Sequence, residues 1–207
     1  MAQNLWADIH HSLGYKNPFT IPDVVKRKIY RLAAMTEVID DGFLSIKSEI
    51  ELYKLEARKA LKSSVPALPI NRETLIAYYE ELNILAFDSE LANGLASLNQ
   101  SRQFTLENVS KNLHLAGISD LQILDTYIKP RQKSIIEFAR KRLKSKYMTL
   151  SKGIFFFYVA YHYVCSSGNE NTVQQYLINT KIDYSAYAGS LALARDLLQD
   201  FKDSESP

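Results

Sequence analysis

The sequence predicts an all-α protein, an elongated helical bundle built on two long heptad-bearing helices at about 22–62 and 131–164, with several shorter helices around them. Three observations predict it. Seven glycines and six prolines in 207 residues leave long tracts free of the residues that end helices. Apolar side chains in those tracts recur at steps of three and four, the period of one helix face. No run alternates apolar and polar residues for long enough to build a sheet. With 46% apolar residues the chain can fill one core. The expected organisation is an N-terminal helix and linker over 1–21, one helical-bundle domain over 22–203 and a frayed tail over 204–207.

Each element has its own local reason. The N-terminal helix, Leu5–Leu13, carries the single tryptophan, Trp6, and leads through GYKNPFTIP to Pro22, a residue suited to a helix's first turn. From there four-three stepping gives Val25, Ile29, Leu32, Thr36, Ile39, Phe43, Ile46, Ile50, Tyr53, Ala57 and Ala60, a seam with one polar member. A helix of about 40 residues is about 60 Å long at 1.5 Å per residue. Gly42 is its expected weak point, since glycine costs roughly 1 kcal/mol against alanine inside a helix. After the loop SSVPALP, Asn71 caps a helix over Arg72–Ala92; Thr105–His114 and Ser119–Ile128 follow, on either side of Gly117. The second long tract follows Pro130 and repeats the stepping at Ile136, Arg140, Leu143, Tyr147, Leu150, Ile154, Phe157, Tyr161 and Val164, with Gly153 as a place to bend. Glu170–Asn179 and Ser185–Phe201 complete the set.

Composition excludes several classes. One cysteine, Cys165, forms no internal disulfide, and the start MAQNLWADIHH lacks the basic and apolar regions of a secretion signal. A cytoplasmic location is expected. The longest apolar run, Ile154–Val164, falls short of the roughly 18 residues that cross a bilayer. It reads instead as the central core helix; the alternative is an interfacial anchor beside a basic stretch.

No residue set reads as catalytic. Asp8 and His11 share a helical face but lack the third ligand that zinc requires. His162 and Cys165 are three apart, yet the cysteine falls at a helix C-terminus, where the dipole disfavours a thiolate. His114 reads as a contact to the preceding carbonyls. The pairs Asp40–Asp41 and Glu80–Glu81 diverge by about 100° on a helix and do not converge on a reacting atom. There is no Glu-x-x-His pair, no Gly-rich phosphate loop with a lysine and no Gly-x-Ser-x-Gly elbow. Neither a cofactor nor a metal is expected.

Charge is more informative. From Lys129 to Lys146 eight basic residues stand against the single acid Glu137, although the whole chain is only +2. Lys133, Arg140, Lys141, Arg142, Lys144 and Lys146 are the candidates for binding a polyanion. The competing reading pairs them with acids elsewhere, for instance Glu37, Asp40, Asp41, Glu49, Glu51 and Glu56. Phe104–Ile128 has the outline of a helix-turn-helix, but its second helix carries Asp120 and Asp125 and reads better as an ordinary hairpin.

The expected function is therefore that of a non-enzymatic interaction or adaptor protein. It binds a protein partner through the seam face of Ile39, Phe43, Ile46, Ile50 and Tyr53, and self-association through residues 25–60 is one form of this. The alternative is a nucleic-acid-binding protein that contacts phosphates through helix 129–146, and an enzyme of unstated reaction is the third reading.

Overall fold

The computed structural model describes residues 22–93, 97–103, 106–143, 149–181 and 188–205, with the backbone alone at 97–103, 106 and 107. The protein is all-α. Along the chain run α1 (Asp23–Ser63), α2 (Arg72–Glu81), α3 (Leu85–Ala92), β1 (Ser97–Gln103), α4 (Leu106–Ala116), α5 (Leu121–Ile128), a 3-10 turn (Lys129–Arg131), α6 (Gln132–Arg142), β2 (Thr149–Lys152), α7 (Ile154–Cys165), α8 (Glu170–Asn179) and α9 (Ser190–Glu205). The chain divides into two compact units between Tyr53 and Lys54.

In the first unit, α1 is helical from Asp23 through Gly42 without a break. Gly42 does not take a positive φ, and a Cβ built there meets nothing within 4 Å. Every residue from 37 to 52 is exposed.

In the second unit, α7 is the central element. Phe155, Phe156, Val159, Ala160, His162 and Cys165 on it are fully buried, and it packs against α4, α6, α8 and α9. The aromatic tract is thus core. The last turns of α1 belong to this unit: Ala57 and Leu61 are buried, Lys54 pairs with Glu73 at 3.3 Å, and Arg58 pairs with Glu80. Asn71 caps α2 as expected, its side chain accepting from the Glu73 and Thr74 N–H groups while Thr74 reciprocates to the Asn71 N–H. Asp120 caps α5 by accepting from the Ile123 N–H, and Asn169 caps α8 by accepting from the Asn171 and Thr172 N–H groups, both without the reciprocal bond.

Four expectations are corrected. The tract 131–164 is two helices, α6 and α7, separated by β2, so the second long helix is absent. Gly153 sits at φ 85°, a left-handed conformation that an L-residue adopts at a cost and that ends any continuous helix there. Four-three spacing misled because α6 carries its own apolar stripe and α7 is apolar on nearly every face, so stepping through it meets apolar residues in any register. Second, there is strand: β1 and β2 pair in parallel, with Ser97 opposite Thr149 and Leu98 opposite Leu150. Third, Arg72–Ala92 is two helices, α2 and α3, parted at Leu82–Ile84 by Asn83 at φ 52°. Fourth, the C-terminal helix runs to Glu205 with Ser204 buried, so residues 204 and 205 are not frayed. The expected helix Leu5–Leu13 lies outside the described residues.

Candidate functional site

Three places could carry function: the buried histidine, the basic helix and the exposed face of α1. His162 is fully buried near the end of α7. Its Nδ1 lies 2.7 Å from the Tyr127 hydroxyl. Burial raises the pKa of the Tyr127 phenol, so the phenol keeps its proton. The other ring nitrogen, Nε2, lies 3.3 Å from Glu205 Oε1 without forming an aligned hydrogen bond. Burial, with a smaller push from Arg131, lowers the His162 pKa to about 3. The ring is neutral and packed among Tyr127, Phe138 and Phe201. Burial raises the Cys165 thiol to about 12, so the residue three positions on offers no thiolate. The pair is core, not a nucleophile and base.

His114 does not contact its own preceding turn. Its Nε2 donates to the Ile70 carbonyl at 2.7 Å, tying α4 to the loop before α2. Beside it the loop and the start of α5 join through Ile70 N–H to Ser119 O and Leu121 N–H to Leu68 O. Between α4 and α5 the chain turns at Gly117 (φ 94°), and Leu121, Leu124, Tyr127 and Ile128 of α5 are buried. Among the described residues, no three His, Cys, Asp or Glu side chains are grouped to hold a metal ion; Asp8 and His11 lie outside them.

An acid that the sequence reading passed over does structural work. Asp88 of α3 is fully buried. Its carboxylate accepts from Gly153 N–H at 2.6 Å, Phe155 N–H at 2.8 Å and the Tyr79 hydroxyl at 2.7 Å. It therefore satisfies the free N–H groups where α7 begins. Burial still moves its pKa upward, against those three hydrogen bonds. The available signal was its place at helical spacing between Ile84 and Leu91, both buried.

Of the six polyanion candidates, Lys133, Arg140, Lys141 and Arg142 are described, whereas Lys144 and Lys146 lie outside. The described cations are not gathered into one face. Arg142 binds Asp196 at 2.5 Å and Asp200 at 2.9 Å, and Lys141 binds Asp203 at 3.2 Å. Arg140 donates to the Glu90 carbonyl at 2.7 Å. Lys129 pairs with Asp125 at 2.7 Å, and the Arg131 guanidinium lies 4.7 Å from the centre of the Tyr127 ring. Lys133 is exposed. The acids that pair with Lys141 and Arg142 of α6 are on α9, spaced at 196, 200 and 203. Ser134 adds a hydrogen bond to Glu205 at 2.8 Å.

On α1 four of the five interface candidates are open to solvent: Ile39 at 53%, Phe43 at 66%, Ile46 at 56% and Ile50 at 43% exposure. Tyr53 is half-buried, and Ala57 is buried. The exposed stretch of the seam therefore ends at Ile50, and from Ala57 the seam face is buried in the second unit. Val38, Leu44 and Leu52 add exposed apolar surface on the same turns. No helix of the described residues is long and apolar enough to cross a membrane.

No family model, curated protein or solved structure matches this chain.

Proposed function

We propose that the chain is a non-enzymatic interaction protein that binds another macromolecule through the seam face of α1. One observation carries the reading: over residues 37–52 a helix exposes Ile39, Phe43, Ile46 and Ile50 on one stripe, with no described residue covering them. Large contiguous apolar surface on a soluble protein marks a contact site. Covering such side chains contributes roughly 1.5–3 kcal/mol each, and one helical stripe is the form that helix-to-helix recognition takes. Phosphate binding through 129–146 is the weaker alternative, because Arg142 and Lys141 already have carboxylate partners on α9.

The test replaces Ile46 and Ile50 by aspartate in the full chain. The double variant is expected to keep cooperative melting and the wild-type helicity. Light scattering from 1 to 100 µM, together with cross-linking in an extract of the native host, should show the wild type engaging itself or another protein and the variant engaging neither. Loss of cooperative melting would make the stripe intramolecular, and a wild type that engages nothing would sink the reading.

A further inference from the structure

The stripe's charges specify what covers it. We infer that the partner is a second copy of this chain, lying antiparallel along α1 so that facing seam residues have numbers that sum to 75, and the flanking residues that meet have numbers that sum to 77 on one side and 73 on the other. This rests on the reading of α1 as an interaction face.

Three features lead to that register. The first is apolar fit. Pairing to 75 brings Val25 against Ile50, Ile29 against Ile46, Leu32 against Phe43 and Thr36 against Ile39, each twice about a two-fold axis between residues 37 and 38. All eight free seam positions are used, and the pairing stops short of Ala57, which is buried in the second unit. Leu32, Ile39, Phe43, Ile46 and Ile50 are exposed, while Val25, Ile29 and Thr36 are half-buried. Thr36 is the one polar member, and its hydroxyl donates to the Leu32 carbonyl at 2.9 Å, so it brings no unmet donor to the seam. A register one heptad shorter leaves Ile46 and Ile50 uncovered, and one heptad longer calls on Ala57 and sets Asp41 against its own copy.

The second feature is charge. Residues 23–36 hold Lys26, Arg27, Lys28 and Arg31 against Asp23, and residues 39–52 hold Asp40, Asp41, Glu49 and Glu51 against Lys47. The two blocks carry +3 and −3, and this register lays each on the other, whereas a parallel in-register pair lays like on like. Residues flanking a helix pair set its orientation in this way. Lys28 meets Glu49 on one flank; Lys26 meets Lys47 on the other as the single like-charged pairing.

The third is Gly42. Glycine inside a helix costs roughly 1 kcal/mol against alanine, and within its own chain nothing lies within 4 Å of a Cβ at Gly42. In the antiparallel pair it faces Met35, which is 61% exposed, so a residue without a side chain meets a long one.

The experiment places a nitroxide label on cysteine in Arg27→Cys and, separately, Asp41→Cys, and measures label-to-label distances by pulsed electron resonance. Cys165 stays in place because it is buried. Both positions point away from the seam, two heptads apart. Antiparallel pairing puts the two copies of residue 27 about 31 Å apart along the axis and those of residue 41 about 10 Å apart, at 1.5 Å per residue. Equal short distances at both positions would mean a parallel pair and overturn the proposal while leaving α1 as an interaction face. A wild type that stays monomeric to 100 µM while cross-linking a host protein through Ile46 and Ile50 would overturn the second copy alone.

Discussion

At the scale of single residues, His162 makes stability depend on acid. In the unfolded chain a histidine takes a proton near pH 6.5, whereas the buried ring does so only near 3. Between those values the unfolded state binds more protons, so lowering the pH favours unfolding. The contribution is complete above pH 6.5 and is lost as the pH falls towards 3, at a slope approaching about 1.4 kcal/mol per pH unit. Urea unfolding at pH 7, 5.5 and 4.5 should show this loss, and His162→Phe should flatten it, although the Tyr127 hydroxyl loses its hydrogen-bond partner. An equal acid sensitivity in the variant would place the effect elsewhere.

At the scale of elements, the start of α7 depends on α3. Replacing Asp88 by alanine strips the acceptor from Gly153 N–H, Phe155 N–H and the Tyr79 hydroxyl together. Leaving buried donors unmet is expected to cost about 2–4 kcal/mol, read as a fall in the urea midpoint, with Asp88→Asn losing less. The same element shows where sequence reading succeeds and fails. Asn71 and the first helix were legible because a cap and a seam are local properties of neighbouring residues. At Gly153 the sequence showed a place to bend but not a full break, since a backbone N–H bonded to a carboxylate 65 residues away leaves no mark on the spacing of apolar residues.

At the scale of the whole chain, the basic tract illustrates a second limit. Its charge was plain in the sequence, but the acids that meet it were not, because spacing does not say which helix packs on which. Lys141 and Arg142 look alike as sequence and differ in place. Arg142 is 15% exposed at its side chain and binds Asp200 at 18%. Arg142→Ala leaves that carboxylate without its cation and is expected to lower stability by about 2 kcal/mol, whereas Lys141→Ala, breaking a more open pair, should stay within about 0.5 kcal/mol. Equal, negligible effects from both would return the tract to a solvated face free for phosphates. The free stripe on α1 was readable as a seam, yet its end at Ile50 was not, because burial of Ala57 is decided by the second unit.

Cys165 gives the molecule a built-in clock. It is the one thiol in the sequence and is closed to solvent at the end of α7, in the same core as the buried faces of α8 and α9. A thiol reagent added to the unaltered protein can react only when that core opens. The rate of modification therefore times the opening directly, with no introduced probe. Compared with the rate of global unfolding, it tells whether the C-terminal helices leave the core alone or only when everything else does.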